Sequence, residues 1–320
     1  MKGFKILEFS DIEKGLAHYH KHGAEAGVYC GFKNIHEFYN MKLGGCTDWT
    51  GMAQSGKTQL CLEFLYNTSV FYGWVHMLMV PDIGDKIEVM AILIHIATGK
   101  TFDKRYRNFI ELKKAFDQCD WILRHFKIIE KVDRSAKISP VDFWEFCETY
   151  KKTNQLNTGV IDSWKDMNHN YGDYGGNYAM YLSNVLPIRN EIAERNKLHF
   201  HTIIHPKTPR RGKDGKILHP QVDDMEGGAQ WNNSGKTIIS VHRDFDQTDV
   251  DIMFLKVKPR VVGKRGNTQL GFNWETARYF NQQVDGSGGI DYHYAKLKDE
   301  LPSITNIDYS LTTKENEAPF

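Results

Sequence analysis

The run Gly51-Met-Ala-Gln-Ser-Gly56-Lys57-Thr58 constrains this chain more than any other stretch. It fits the pattern G-x-x-x-x-G-K-[ST] with no mismatch. Glycines at those positions let the backbone curl so that several N–H groups point into one anion hole. Gly51, Ser55, Gly56 and Gln59 are candidates to line it. Lys57 can reach the β- and γ-phosphates of a nucleotide such as ATP, and the Thr58 hydroxyl can ligate Mg²⁺. Residues 59–72 read as a helix whose positive N-terminal end would face the phosphates. The plain alternative is a Gly-rich turn before a core helix.

The rest of the chain reads as alternating strands and helices. Residues 8–40 are polar and aromatic, with helical stretches at 11–22 and 34–41, and 1–42 reads as an arm. A short strand at 46–50 enters the glycine loop. A strand at 74–80 is stopped by Pro81, and helical stretches follow at 85–97 and 103–124. A strand is expected at 125–129 and a helix at 141–150, where Ser139-Pro140 supplies start signals. The strand 158–161 ends at Asp162. After a helix at 177–196, the strand 199–204 ends at His205. Two more strands are expected at 237–242 and 251–257. This order predicts an α/β fold over 43–282, with a mostly parallel central sheet flanked by helices. Residues 283–320 read as a polar tail. Ligands gather at the C-terminal ends of such strands, and Asp82, Asp162 and His205 each lie at or just past one.

With 320 residues, 41% hydrophobic and 25% charged, the chain can bury a sizeable core without disulfides. A net charge of +1 means that any nucleic-acid contact must come from a local patch. Five scattered cysteines, none spaced C-x-x-C, argue for a reducing compartment. The first residues lack a signal-peptide pattern and no apolar run approaches a membrane span, so a cytoplasmic location is expected.

Hydrolysis of a nucleotide needs a phosphate cradle, a metal, a positioned water and charge stabilisation. Asp162 can hold the Mg²⁺ shell, or it is an ordinary turn aspartate. Asp82, in Val80-Pro-Asp-Ile-Gly84, stands where a water-activating carboxylate belongs, or is a turn residue beside Pro and Gly. The segment 203–216 carries Lys207, Arg210, Arg211, Lys213 and Lys216 in a Gly- and Pro-rich loop straight after a strand. A cationic loop there suits a nucleic-acid backbone, and a solvated surface loop is the alternative. Lys258 and Arg260 follow an apolar strand in a second basic segment. Residues 168–177, rich in Gly, Asn and Tyr, read as a second channel loop or a surface loop.

Taken in order, GMAQSGKT, VPD, VID, IIHPK with its basic loop, GGAQWN, VHR, KPRVVGKRG and LGFNWET resemble the superfamily 4 ring helicases over residues 30–280. That family spans DnaB, phage primase-helicases and Twinkle. The resemblance implies a RecA-like core that binds ATP or another NTP with Mg²⁺. It implies that Lys57 and Thr58 bind phosphates and metal, that Asp162 is the Walker B acid, and that His205 senses the γ-phosphate. Lys207, Arg210, Arg211 and Lys213 would grip single-stranded DNA. Arg260 would act across a subunit interface as an arginine finger with Lys258 beside it, and Arg243 and Phe272 would sandwich the base. The 8–40 arm would pack on the next subunit of a homohexamer. The implied activity is 5′-to-3′ unwinding of forked duplex, with a primase, polymerase or loader as separate proteins. The family carries Glu where this chain has Asp82, and the strand before Asp162 is less apolar than usual. The chain is expected to be a lone helicase core, without primase domain or collar. Alternatives are a recombination ATPase coating single-stranded DNA, and a nucleotide-gated binding protein that hydrolyses weakly.

Overall fold

A computed structural model describes residues 5–130, 136–207, 210–213, 215–244 and 249–281. The expected tail at 283–320 lies outside the described residues. Nine strands form one sheet in the order β3-β2-β4-β5-β1-β6-β7-β8-β9. They are β1 Cys46–Thr50, β2 His76–Met79, β3 Phe126–Ile128, β4 Thr158–Ile161, β5 His199–Ile204, β6 Thr237–Arg243, β7 Asp249–Val257, β8 Gly266–Asn273 and β9 Arg278–Asn281. The pairings from β3 to β6 are parallel, whereas β7, β8 and β9 add antiparallel. The sheet is thus the mostly parallel one expected, extended by a three-strand meander.

Helices cover both faces. One core is built by α3 Lys57–Tyr72, α4 Lys86–Thr98 and α5 Leu112–His125, with the short α2 Lys33–His36 and its neighbours Tyr29, Phe32 and Tyr39. The other is built by α6 Pro140–Lys151, α7 Tyr178–Asn196 and α8 Gly228–Ser234. Residues 5–28 carry no buried side chain, and α1 Phe9–His22 leaves Phe9, Leu16 and Tyr19 more than half exposed.

Three departures from the sequence reading have local causes. The helix expected at 103–124 begins only at Leu112, because Thr101 bridges Phe109 and Asp103 folds back onto Arg105. The helix expected at 34–41 ends at His36, since Met41 pairs with Val28 instead. The β8–β9 hairpin and α8 were not expected as elements.

α3 is buried along its whole length except at Thr58 and Gln59. Its buried polar groups are met by partners: Asn67 donates to the Cys30 carbonyl and Ser69 to that of Trp74. A helix hydrophobic all round belongs in a core, so the fold points its N-terminus, rather than its side, at the sheet edge. α7 ties the middle of the sheet down. Arg189 sits in its apolar stripe and donates to both carboxylate oxygens of Asp48 in β1, at 2.5 and 3.2 Å, with both residues fully buried.

Candidate functional site

Parallel pairing sets the ends of β2, β4, β5 and β1 side by side. Each end carries one of the residues expected to do chemistry. The loop after β1 turns into α3 at Gly56, which has φ 94°, in the left-handed region. A side chain at Gly56 would collide with the Tyr279 hydroxyl, and one at Gly51 with the Val241 carbonyl. Both glycines are therefore required by close approach as well as by φ. Tyr279, on β9, donates from its hydroxyl to the Gly56 carbonyl at 3.0 Å and so braces the loop from outside. Gln59 donates to the Ala277 carbonyl at 2.7 Å, so it too engages the β8–β9 hairpin.

Within the loop, the Lys57 ammonium turns back to donate to the Met52 carbonyl at 2.7 Å. Burial pushes its pKa down to about 8, against the pull of Asp162 and Asp82. A cation so weakly paired is placed to gain from an incoming phosphate. Thr58 Oγ1 donates to Asp162 Oδ2 at 2.6 Å, whereas Oδ1 is buried without a partner among the described residues. Burial raises the Asp162 pKa to about 6. A hydroxyl beside a carboxylate with a spare buried oxygen is a donor set that fits Mg²⁺, a hard cation that takes oxygen ligands. The Ser55 hydroxyl is likewise buried and unpaired among the described residues.

Asp82 lies next to this pair, its N–H donating to the Asp162 carbonyl at 3.2 Å. Its carboxylate is 3.4 Å from Lys165 Nζ and 3.6 Å from His205 Nε2. Burial lowers the His205 pKa, with Lys57 adding to the effect, so at neutral pH the ring is uncharged. Lys165 belongs to the short 3₁₀ turn Trp164–Asp166, and the neighbouring Trp164 is locked in the second core. Sequence reasoning missed Lys165, although its place three residues after Asp162 was a usable signal.

At the other end of the site, Arg243 closes β6. Its guanidinium lies 5.4 Å from the centre of the Phe272 ring and 3.8 Å from that of Trp274. The two expected base-binding residues are thus together, with an unforeseen third. Lys258 and Arg260 are elsewhere. Val257 pairs with Thr237 at the start of β6, so both cations stand at the opposite edge of the sheet from this chain's own glycine loop. Both are exposed, and Lys258 lines a cavity of about 210 Å³ with Lys42, Lys197 and Lys236.

The basic segment follows His205 as a small hairpin, with bridges from Pro206 to Met225 and from Arg211 to Ile217. Its five cations are exposed but not equivalent. Arg210 is held by Asp224 at 2.5 Å, Arg211 donates back to the Gly215 carbonyl, and Lys216 is 3.6 Å from Asp244. Lys207 and Lys213 have no ion-pair partner among the described residues. Tyr171, Tyr174, Tyr178 and Tyr181 pack edge to face beside His169, so the 168–177 segment is pinned to α7 rather than loose.

This geometry has close counterparts. The solved ATPase domain of one DnaB-like replicative helicase matches at a TM-score of 0.66, covering 85% of this chain and 99% of that one at 16% identity. A second DnaB-like replicative helicase, solved for its interactions with primase, matches at 0.68 and 16% identity, covering 88% of this chain and 68% of that one. The fold is that of a superfamily 4 helicase ATPase domain. In sequence, the chain is 24% identical over 293 residues to the Twinkle homolog protein, chloroplastic/mitochondrial, of Arabidopsis thaliana. That alignment takes in 87% of this chain but 40% of the relative's length. No protein-family model matches. Among the described residues, no helix of this helicase-type domain is long and apolar enough to cross a membrane.

Proposed function

We propose that the chain is an NTP-driven DNA helicase motor that moves 5′ to 3′ along single-stranded DNA as a ring of six copies. The observation that carries this is the convergence of Lys57, Thr58, Asp162, Asp82 and His205 on adjacent strand ends, with a basic hairpin leaving directly from His205. Lys57 exchanges the Met52 carbonyl for the outer phosphate oxygens. Thr58 and Asp162 would hold Mg²⁺, which when bound neutralises charge on the phosphate oxygens. Asp82 accepts a proton from the attacking water. His205, uncharged and within reach of Asp82, carries the state of the site into the Lys207–Lys216 hairpin that grips the strand. Differential contacts with NTP and NDP then shift the hairpin between positions.

Arg260 and Lys258 fit this reading only from a neighbouring subunit, because their own loop is at the far side of the sheet. The exposed apolar side chains of α1 suit packing on that neighbour. Forked duplex is the substrate under this proposal, a separate primase or loader the companion, and the cytoplasm the location. The test is strand displacement from a fork by mixtures of wild type and Arg260→Ala. A subunit-bridging finger predicts that activity falls faster than the wild-type fraction, while nucleotide binding is kept. Activity that falls in simple proportion would remove the finger. One observation favours a second reading: Asp82 is shorter than Glu and is engaged by Lys165 and His205, which suits a slow, nucleotide-gated DNA-binding protein.

A further inference from the structure

The base end of the site holds more than the motif order assigns. Arg243 is only 7% exposed, yet its Nε and one terminal nitrogen have no hydrogen-bond partner among the described residues. A base inserted between Arg243 and Phe272 needs roughly 7 Å, two van der Waals layers. The observed 5.4 Å closes that slot, and Phe272 is itself buried. Trp274 differs in both respects. Its inner face takes the Arg243 guanidinium, Phe272 meets it edge-on at 84°, and the indole is still 59% exposed.

The indole also stands on a fastened turn. Asn273 Oδ1 accepts from the Glu275 and Thr276 N–H groups at 2.9 and 3.1 Å. The Glu275 carbonyl accepts from His95 of α4 and from Asn108. Phe272 packs on Tyr279, which bonds Gly56, so this turn and the glycine loop belong to one braced unit. An aromatic ring held in place before its ligand arrives loses little freedom on binding.

We propose that Trp274 is the base-stacking residue of the nucleotide site. The base lies on the outer face of the indole, with Arg243 behind it, instead of between Arg243 and Phe272. This rests on the reading of residues 51–58 as a triphosphate site.

Binding of Mg-ADP and of Mg-tripolyphosphate, which carries phosphates and no base, separates the two claims. In the full chain, ADP should quench tryptophan emission and tripolyphosphate should not. Trp274→Ala should weaken ADP roughly tenfold, the scale of one base–aromatic stack, and leave tripolyphosphate unchanged. Trp274→Phe should keep most ADP affinity and lose the quench. Phe272→Leu should bind both ligands as wild type does. Unchanged or tighter ADP binding by Trp274→Ala would overturn the assignment, as would a loss that follows Phe272→Leu instead. Failure of wild type to bind either ligand would overturn the triphosphate reading and this proposal with it, whereas tripolyphosphate binding with no base effect would overturn this proposal alone.

Discussion

Three carboxylates are equally buried in this molecule, and two regions treat them differently. Asp48 in the middle of the sheet gives both oxygens to Arg189. Glu63, on the inner side of α3, gives one to Arg278 at 2.7 Å and one to the Tyr279 N–H at 2.9 Å. Asp162 at the strand ends gives one oxygen to Thr58 and has no partner for the other among the described residues. Lys57 and Arg243, in the same outer region, are likewise buried with weak pairing. A buried charge without full pairing costs several kcal/mol. The interior region therefore uses charge to fix β1 on α7 and β9 on α3. The outer region keeps charge under-satisfied, and an arriving ligand relieves that cost.

The sharpest way to break this contrast is on stability. Arg189→Ala should cost about 3–5 kcal/mol in urea unfolding, because it strands Asp48 in the core. A loss under about 1 kcal/mol would mean that the interior pair is not structural. Acid comes next. His199 is fully buried, accepts or donates with Thr47 at 2.8 Å, and has its pKa lowered to about 4 by burial. A depressed histidine stabilises the fold while it is neutral, so the contribution is complete above pH 6.5 and is lost as pH falls towards 4. The amount is roughly 3 kcal/mol. His199→Asn should flatten that part of the pH–stability curve, and an unchanged curve would count against it.

Asp162→Asn should move stability the other way. The raised pKa of Asp162 means that its charge opposes folding, increasingly as pH rises from about 4 to 6 and fully above 6. The variant should gain roughly 1–3 kcal/mol at pH 7.5 while losing hydrolysis. Glu63→Gln at the same pH should lose stability. Equal signs for the two would erase the comparison. The smallest effect is expected at Lys165→Ala. Its contact with Asp82 is largely exposed, so stability should change by under about 1 kcal/mol. Hydrolysis should nevertheless fall several-fold, read as a drop in kcat at unchanged KM.

Much of this was legible in the residues. The glycine loop, Asp82, Asp162 and His205 stand where strand ends were expected, because short apolar runs stopped by Pro, Asp or His give unambiguous ends. The hairpin that braces the loop was not. β8 reads Gly-Asn-Thr-Gln before it becomes apolar, and only its second half is buried, so no strand period shows. The partners of Glu63 and Gly56 come from residues more than 200 positions away, which no local pattern reports. Arg189 did leave a trace: an arginine inside the stripe Leu182, Val185, Leu186, Ile192 implies a buried acid facing it.

Hydrolysis of ATP by the purified chain, with and without single-stranded DNA, tests the central claim most directly. A motor whose DNA hairpin is wired to His205 should be stimulated many-fold by the strand, and Lys57→Ala should abolish both rates. Slow hydrolysis that ignores DNA in the wild-type protein would contradict it.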